Sequence, residues 1–306
     1  MFAAAALASS GVASPVDQGT ALLVMFAFTG LLTAGIVVLA VGLGLLRWKG
    51  VLLGTRQPER NEAPIRWALF GIGLFVWFFA QLAAVGIVVA FVGGVEEMQE
   101  AIQEIRYLLA VSVGPWLVII PVVALAGVLL PLKPWHRLGW KPIGFAHGAL
   151  SVPMIIPVVL FVTMGTQLVR YHLGASLDES HPLLAGLETD WLLVAGMFLG
   201  VGLLVPIAEE IAFRGLLQGA LGAGLTRLAD PMKEAGMRWL AILISSLVFA
   251  VIHPFFSWPA IFTLSILLGY AYDRSGSIWT PIVGHAAFNT FNLSLAVLLL
   301  YADVPA

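Results

Sequence analysis

The chain contains no cysteine. Structural disulfides, thiolate zinc sites and cysteine nucleophiles are thereby excluded. Charge is scarce as well: only 10% of the 306 residues are Asp, Glu, Lys or Arg, against 60% hydrophobic residues and a mean hydropathy of +0.99. A soluble domain carries about 25% charge and about 45–50% apolar residues. No stretch is rich in Lys and Arg, so nucleic-acid binding has no electrostatic basis. A basic n-region is missing from the opening MFAAAALASSGVAS, which reads as a short tail rather than a signal peptide.

What is present are long apolar runs. A span needs about 20 such residues, and spans are expected near 20–47, 67–93, 107–131, 143–169, 190–222, 238–253, 259–272 and 278–301. The expected fold is all-α, a polytopic transmembrane helical bundle of about eight spans. The sixth and seventh are short and meet at "HPFFSWP"; they either cross the bilayer fully or turn back inside the protein. Three regions follow: a tail over 1–19, N-terminal transmembrane helices over 20–142, and a C-terminal transmembrane core over 143–306.

Cations gather in alternate loops: Arg47, Lys49, Arg56, Arg60 and Arg66; then Lys133, Arg137 and Lys141; then Arg227, Lys233 and Arg238; then Arg274. The intervening loops are acidic, with Glu96, Glu97, Glu100 and Glu104, then Asp178, Glu179, Glu188 and Asp190. Arg106 and Arg170 break the pattern. The positive-inside rule puts the basic loops in the cytoplasm and both termini outside. Gly196, Gly200 and Gly202 in the fifth span allow a neighbouring helix to approach closely. No tandem or inverted repeat of the transporter kind is visible.

Against this apolar background, "VPIAEEIAFRGLL" (205–217) places Glu209, Glu210 and Arg214 inside a span. An Asp, Lys or Arg at a helix centre costs about 2.5–3.5 kcal/mol on insertion scales. Glu210 and Arg214 stand at i and i+4, the favourable order for an intrahelical ion pair. Glu209 projects about 100° away with no cation one turn on either side. A purely structural polar staple leaves one negative charge over. A carboxylate in a water-poor site is alternatively a natural general base or acid.

Later spans add His253, His285 and Asn289. Pro254 disfavours helix at the preceding residue, so the sixth span is expected to stop at His253 and free its carbonyls and ring. Thr280-Pro281 reads as an N-cap followed by proline at the first helical position, and His285 and Asn289 then share a face. If spans five and six form a hairpin, Glu209 and His253 both lie roughly 20 Å below its basic end. A lone intramembrane histidine is commonly a helix–helix hydrogen bond; two of them with an asparagine and an unpaired glutamate point to chemistry. His136, His147, His172 and His181 fall in or near loops and read as solvated or interfacial. The chain lacks HExxH and GxGD, and the serine of "DRSGS" (273–277) lies in a loop.

"EEIAFRG", Phe249-xxx-His253 and His285-xxx-Asn289, in that order, resemble the three motifs of the CPBP intramembrane glutamic endopeptidases. That family includes the type II CAAX prenyl proteases and the Abi proteins. The resemblance covers roughly residues 190–300. It implies an intramembrane protease in which Glu209 and His253 activate water while His285 and Asn289 stabilise the oxyanion, with Glu210 and Arg214 in support. It implies no cofactor. Zinc held by Glu209, His253 and His285 is the alternative for the chemistry, since three ligands and an open position suit a catalytic metal. The implied partners are a membrane-associated peptide or protein substrate and the lipid bilayer. Ala, Gly and Leu richness points to a bacterial cytoplasmic membrane, and the eighth span, which delivers His285 and Asn289 from its cytoplasmic end, points to a site open toward the cytoplasm. The competing functions are a catalytically idle relative that binds a peptide as an immunity factor or chaperone, and a proton-coupled transporter.

Overall fold

The computed structural model describes residues 63–92, 139–174, 191–228 and 234–302, together with Leu23, Phe26, Ala27, Gly30, Gly114 and Pro115. Apart from these six residues, the expected spans at 20–47 and 107–131 lie outside the described residues, as do the tail, His136, His181 and both acidic loops. Among the described residues every element is helical, and six helices are long and apolar enough to cross a membrane.

Helix α1 is Ala63–Val92 and α2 is Ile143–His172. A continuous helical run follows: α3 (Trp191–Leu199), a π-helical segment (Gly200–Leu204), α4 (Val205–Glu210), a second π-helical segment (Ile211–Gln218) and α5 (Gly219–Leu228). Then come α6 (Glu234–Val251), a short 3₁₀ turn (Phe255–Ser257), α7 (Trp258–Ser275) and α8 (Trp279–Ala302).

The first interruption of the fifth span has a local cause. Pro206 has no N–H to give the preceding turn, and its ring crowds the carbonyl four residues back. The chain widens just before it, and Val205 N–H reaches back five residues to Gly200 O. The Glu-bearing turn thus sits between two π segments, a geometry that recurs at functional sites.

Boundaries moved in three places. Helix α6 starts at Glu234, four residues earlier than expected, so Arg238 lies within the helix and pairs with Asp273 in α7 through bonds of 2.9 and 2.6 Å. Helix α8 begins at Trp279, and Thr280 is not its cap: the hydroxyl donates to Gly144 O in α2 at 3.2 Å. Arg66, read as a loop cation, is buried in the first turns of α1 and donates through Nη1 to Gly215 O in the second π segment.

Helices α6 and α7 are full-length antiparallel neighbours of 18 residues each. Their register is fixed at both ends. Arg238 meets Asp273; one turn inward, Ile242 lies against Gly269. At the far end Trp258 Nε1 donates to His253 O at 2.8 Å. Gly276, at φ 61°, caps α7 in the left-handed conformation that glycine adopts without strain. The turn after it is tied to the start of α2, with Ser277 Oγ donating to Lys141 O at 3.0 Å.

Among the described residues, helices α2 and α8 pack against each other along much of their length. An added Cβ on Gly148 would lie 2.6 Å from Val283 Cβ and 2.9 Å from Thr280 O. Gly202 also serves as a contact, its hydrogen facing Thr290 of α8, as its small-residue pattern suggests. One apolar cluster joins Ile155, Val159, Leu264, Leu268 and Phe288; another joins Leu69 and Phe70 of α1 to Phe213, Leu216, Leu217 and Phe249. On its outer face α1 exposes Phe75, Phe78, Phe79, Ile87 and Phe91, side chains suited to a hydrocarbon environment.

Candidate active site

The expected Glu210–Arg214 pair is present, with Nε to Oε2 at 2.8 Å and both side chains fully buried. The other carboxylate oxygen of Glu210 accepts from His285 Nδ1 at 2.8 Å. Since a carboxylate only accepts, that bond places a proton on Nδ1 and turns Nε2 outward. Nε2 faces Glu209 Oε2 at 3.8 Å. Glu209 is therefore not without compensation, as its helical neighbours alone suggested; the imidazole comes from α8, 76 positions along the chain. At 3.8 Å this is an electrostatic contact and not a hydrogen bond.

His253 lies on the other side of Phe249. Helix α6 ends at Val251, as Pro254 requires, and His253 Nδ1 folds back to donate to Phe249 O at 2.7 Å. The neutral ring then carries its lone pair on Nε2. His253 is half-buried, and no direct bond joins it to Glu209. Asn289 donates to Val201 O in the first π segment at 2.9 Å. That bond fixes the amide beside the widened turn and leaves its second N–H to other partners.

Phe249 organises the group. Fully buried, its ring stacks edge-on against Phe213 at 4.8 Å, lies 4.8 Å from the His253 ring and 5.9 Å from the His285 ring. The Arg214 guanidinium sits 5.3 Å from its centroid. A ring face attracts a cation while its edge suits neighbouring rings. Glu209, Glu210, Arg214, Phe249, His253 and His285 are thus one contiguous constellation, with Asn289 one turn beyond His285. Glu210 and Arg214 are wholly enclosed, and Glu209, 7% exposed, lies at the edge.

The sequence pattern did not reveal that Glu210 holds His285, nor that Val201 anchors Asn289. Both are contacts across the bundle between residues 75 and 88 positions apart. Phe249 stood in a motif, but its role as the common wall is a packing fact. For the zinc alternative, Glu209 and His285 are adjacent, yet no group of three His, Asp or Glu among the described residues is arranged to hold a metal ion. His147 sits on α2 and His172 in its last turn, and neither joins the constellation.

Residues 191–291 match the model of the type II CAAX prenyl endopeptidase Rce1-like family. This stretch contains all three motifs, so the resemblance read from them holds. Among curated proteins, "Putative membrane peptidase YdiL" of Bacillus subtilis (strain 168) is 33% identical over 87 residues, 28% of this chain and 31% of that protein. Two proteins of Lactococcus lactis subsp. lactis (strain IL1403) also match. UPF0177 protein YxdF is 28% identical over 32% of this chain and 49% of its own length, and UPF0177 protein YaiF is 33% identical over 32% and 40%. The matched stretch thus spans between about a third and a half of each relative. No solved structure matches.

Proposed function

We propose that the chain is an intramembrane glutamate-dependent peptidase that hydrolyses a membrane-associated peptide or protein, without a metal. The observation that carries this reading is the buried Glu209–His285–Glu210–Arg214 relay. Its two carboxylates are met inside the span by the Arg214 guanidinium and by an imidazole that, when protonated, donates from both ring nitrogens.

In the proposed mechanism a water lies against Glu209 and the lone pair of His253 Nε2. Glu209 takes a proton as the water oxygen attacks the scissile carbonyl carbon. The oxyanion that forms accepts hydrogen bonds from His285 Nε2–H and the second N–H of Asn289, groups positioned before the reaction begins. Collapse breaks the C–N bond, and the leaving amine takes the proton held by Glu209. Glu210 touches no reacting atom; it holds the His285 ring in register, the role an orienting carboxylate has in a catalytic triad. The similarity to a named membrane peptidase and to the Rce1-like family supports peptide-bond hydrolysis. The Ala, Gly and Leu richness supports a bacterial cytoplasmic membrane, and the basic loops support an orientation with the Arg238–Asp273 end inside. His285 enters about 9 Å below that end of α8, which favours a site on the cytoplasmic side.

The test is cleavage in whole membranes from cells carrying wild-type or Glu209→Gln protein, compared by proteomics of membrane peptides. The substitution keeps the side-chain shape and removes the base, and product formation is expected to fall roughly 10²–10⁴-fold. Processing that survives the change overturns the glutamate mechanism. Activity is expected to persist in strong chelator; its loss there brings back a metal held by Glu209 and His285.

A further inference from the structure

Hydrolysis in a bilayer needs a supply of water, and the constellation is walled by Phe213 and Phe249. Among the described residues seven buried polar atoms have no hydrogen-bond partner in the protein: His147 Nδ1 and Arg274 Nε on half-buried side chains, and five on four fully enclosed ones, Arg214 Nη1 and Nη2, Gln218 Oε1, Ser246 Oγ and Ser265 Oγ. All four side chains are at most 5% exposed. Buried polar groups of this kind are ordinarily met by ordered water.

The four residues are not scattered. The α6–α7 register pairs Arg238 with Asp273 and Ile242 with Gly269, so the next turn sets Ser246 opposite Ser265. Gln218 enters at the Gly269 level, its Nε2 donating to Gly269 O at 3.0 Å. Arg214 lies one turn before Gln218, against the ring of Phe249, which is three residues beyond Ser246 on the same face of α6. At the other end Gln218 lines a cavity of about 40 Å³ with Arg66, Gly222, Arg238, Tyr272 and Asp273. A water needs about 10–15 Å³ of such space, so the cavity is large enough for about three.

We infer that a file of bound water runs from this cavity, between the second π segment, α6 and α7, past Gln218 and the Ser246–Ser265 pair to Arg214. It ends behind Glu210 and the hydrolytic relay. The file brings water from the basic end of the bundle to the Arg214 side of the relay, independent of the route by which substrate arrives. Its chemistry is matched along its length: an amide acceptor, two hydroxyls that both donate and accept, and guanidinium donors. Its purpose rests on the hydrolytic reading, whereas its existence does not.

The absence of native cysteine makes a direct test available. Single variants Gln218→Cys, Ser246→Cys and Ser265→Cys are placed in the full chain in sealed vesicles with the basic end accessible. They are exposed to silver ion, a probe close to water in size, and protection from maleimide after denaturation is measured. Leu264→Cys, beside Ser265 in the chain but in the apolar α2–α7–α8 cluster, is the dry control. Ser246→Cys and Ser265→Cys are expected to react at least roughly 10-fold faster than the control, with Gln218→Cys faster still. Adding Ser246→Val, which fills the pair with methyl groups, is expected to slow Ser265→Cys to the control rate. Equal rates at the serines and Leu264, or a plug without effect, overturn the water file. Because the readout uses no substrate, failure of the file and failure of the peptidase reading are separate results.

Discussion

At the scale of single residues, the constellation has three kinds of member, and mutations distinguish them. Glu209 meets the reacting water in the proposed mechanism. Glu210 acts on His285 alone, so Glu210→Gln keeps one acceptor oxygen but weakens the hold on Nδ1–H and removes a charge. It is expected to lower kcat by roughly 10²-fold or more while leaving KM near its normal value, measured on a purified peptide substrate in liposomes. An equal change in KM would place Glu210 in substrate binding. Arg214 is structural: Arg214→Ala removes the guanidinium that Glu210 Oε2 accepts from and leaves His285 as the remaining bond to that buried carboxylate, a loss of about 3–5 kcal/mol of stability, read from denaturant titration in mild detergent. The Glu210–Arg214 pair was legible because four-residue spacing on a helix determines which side chains meet. The His285 contacts were not, because they depend on how α8 is set against α4, and α8 carries its polar groups among apolar ones that give no facing rule.

At the scale of elements, the six described spans were readable from apolar length alone, since backbone satisfied within each helix is what a bilayer demands. Their ends were less so. Arg238 and Arg66 look like loop cations in sequence, but a bonding partner across the bundle draws each into a helix: Asp273 for one and Gly215 O for the other. The π segment before Pro206 depends on the missing N–H of that proline, and the exact place where the turn widens is not reported by periodicity. The α2–α8 contact carries its own prediction, because it holds the helix that delivers His285. In Gly148→Ala the new methyl meets both Val283 and the Thr280 carbonyl. Overpacking of this kind costs roughly 1–3 kcal/mol. The thermal midpoint is expected to fall, and hydrolysis with it as His285 shifts. Adding Val283→Ala should restore only part of the loss, since the backbone carbonyl stays in place. Full tolerance of Gly148→Ala would show that the two helices separate freely without harm to the site.

At the scale of the whole molecule, the charges sort to the ends of the bundle. Arg66 lines one cavity with Arg238 and Asp273, and Lys141 is tied to the turn that follows Asp273. The starts of α1, α2, α6 and α8 and the ends of α5 and α7 therefore share one end. Arg170 lies at the opposite end, 5.3 Å from the ring of Phe256 in the α6–α7 turn. Helices α1 and α2 thus run in the same direction, which agrees with one further crossing between them and with the alternation of basic and acidic loops. The positive-inside rule then orients the molecule with Lys141, Arg227, Arg238 and Arg274 in the cytoplasm. Single cysteines test this cleanly in a chain that has none. Leu173→Cys and Leu228→Cys are both highly exposed, 79% and 87%, at opposite ends. In intact cells a membrane-impermeant maleimide is expected to label Leu173→Cys, and to reach Leu228→Cys only after permeabilisation. The reverse pattern would invert the molecule, place the Arg238–Asp273 cavity outside the cell, and make the external medium the source of water for the site.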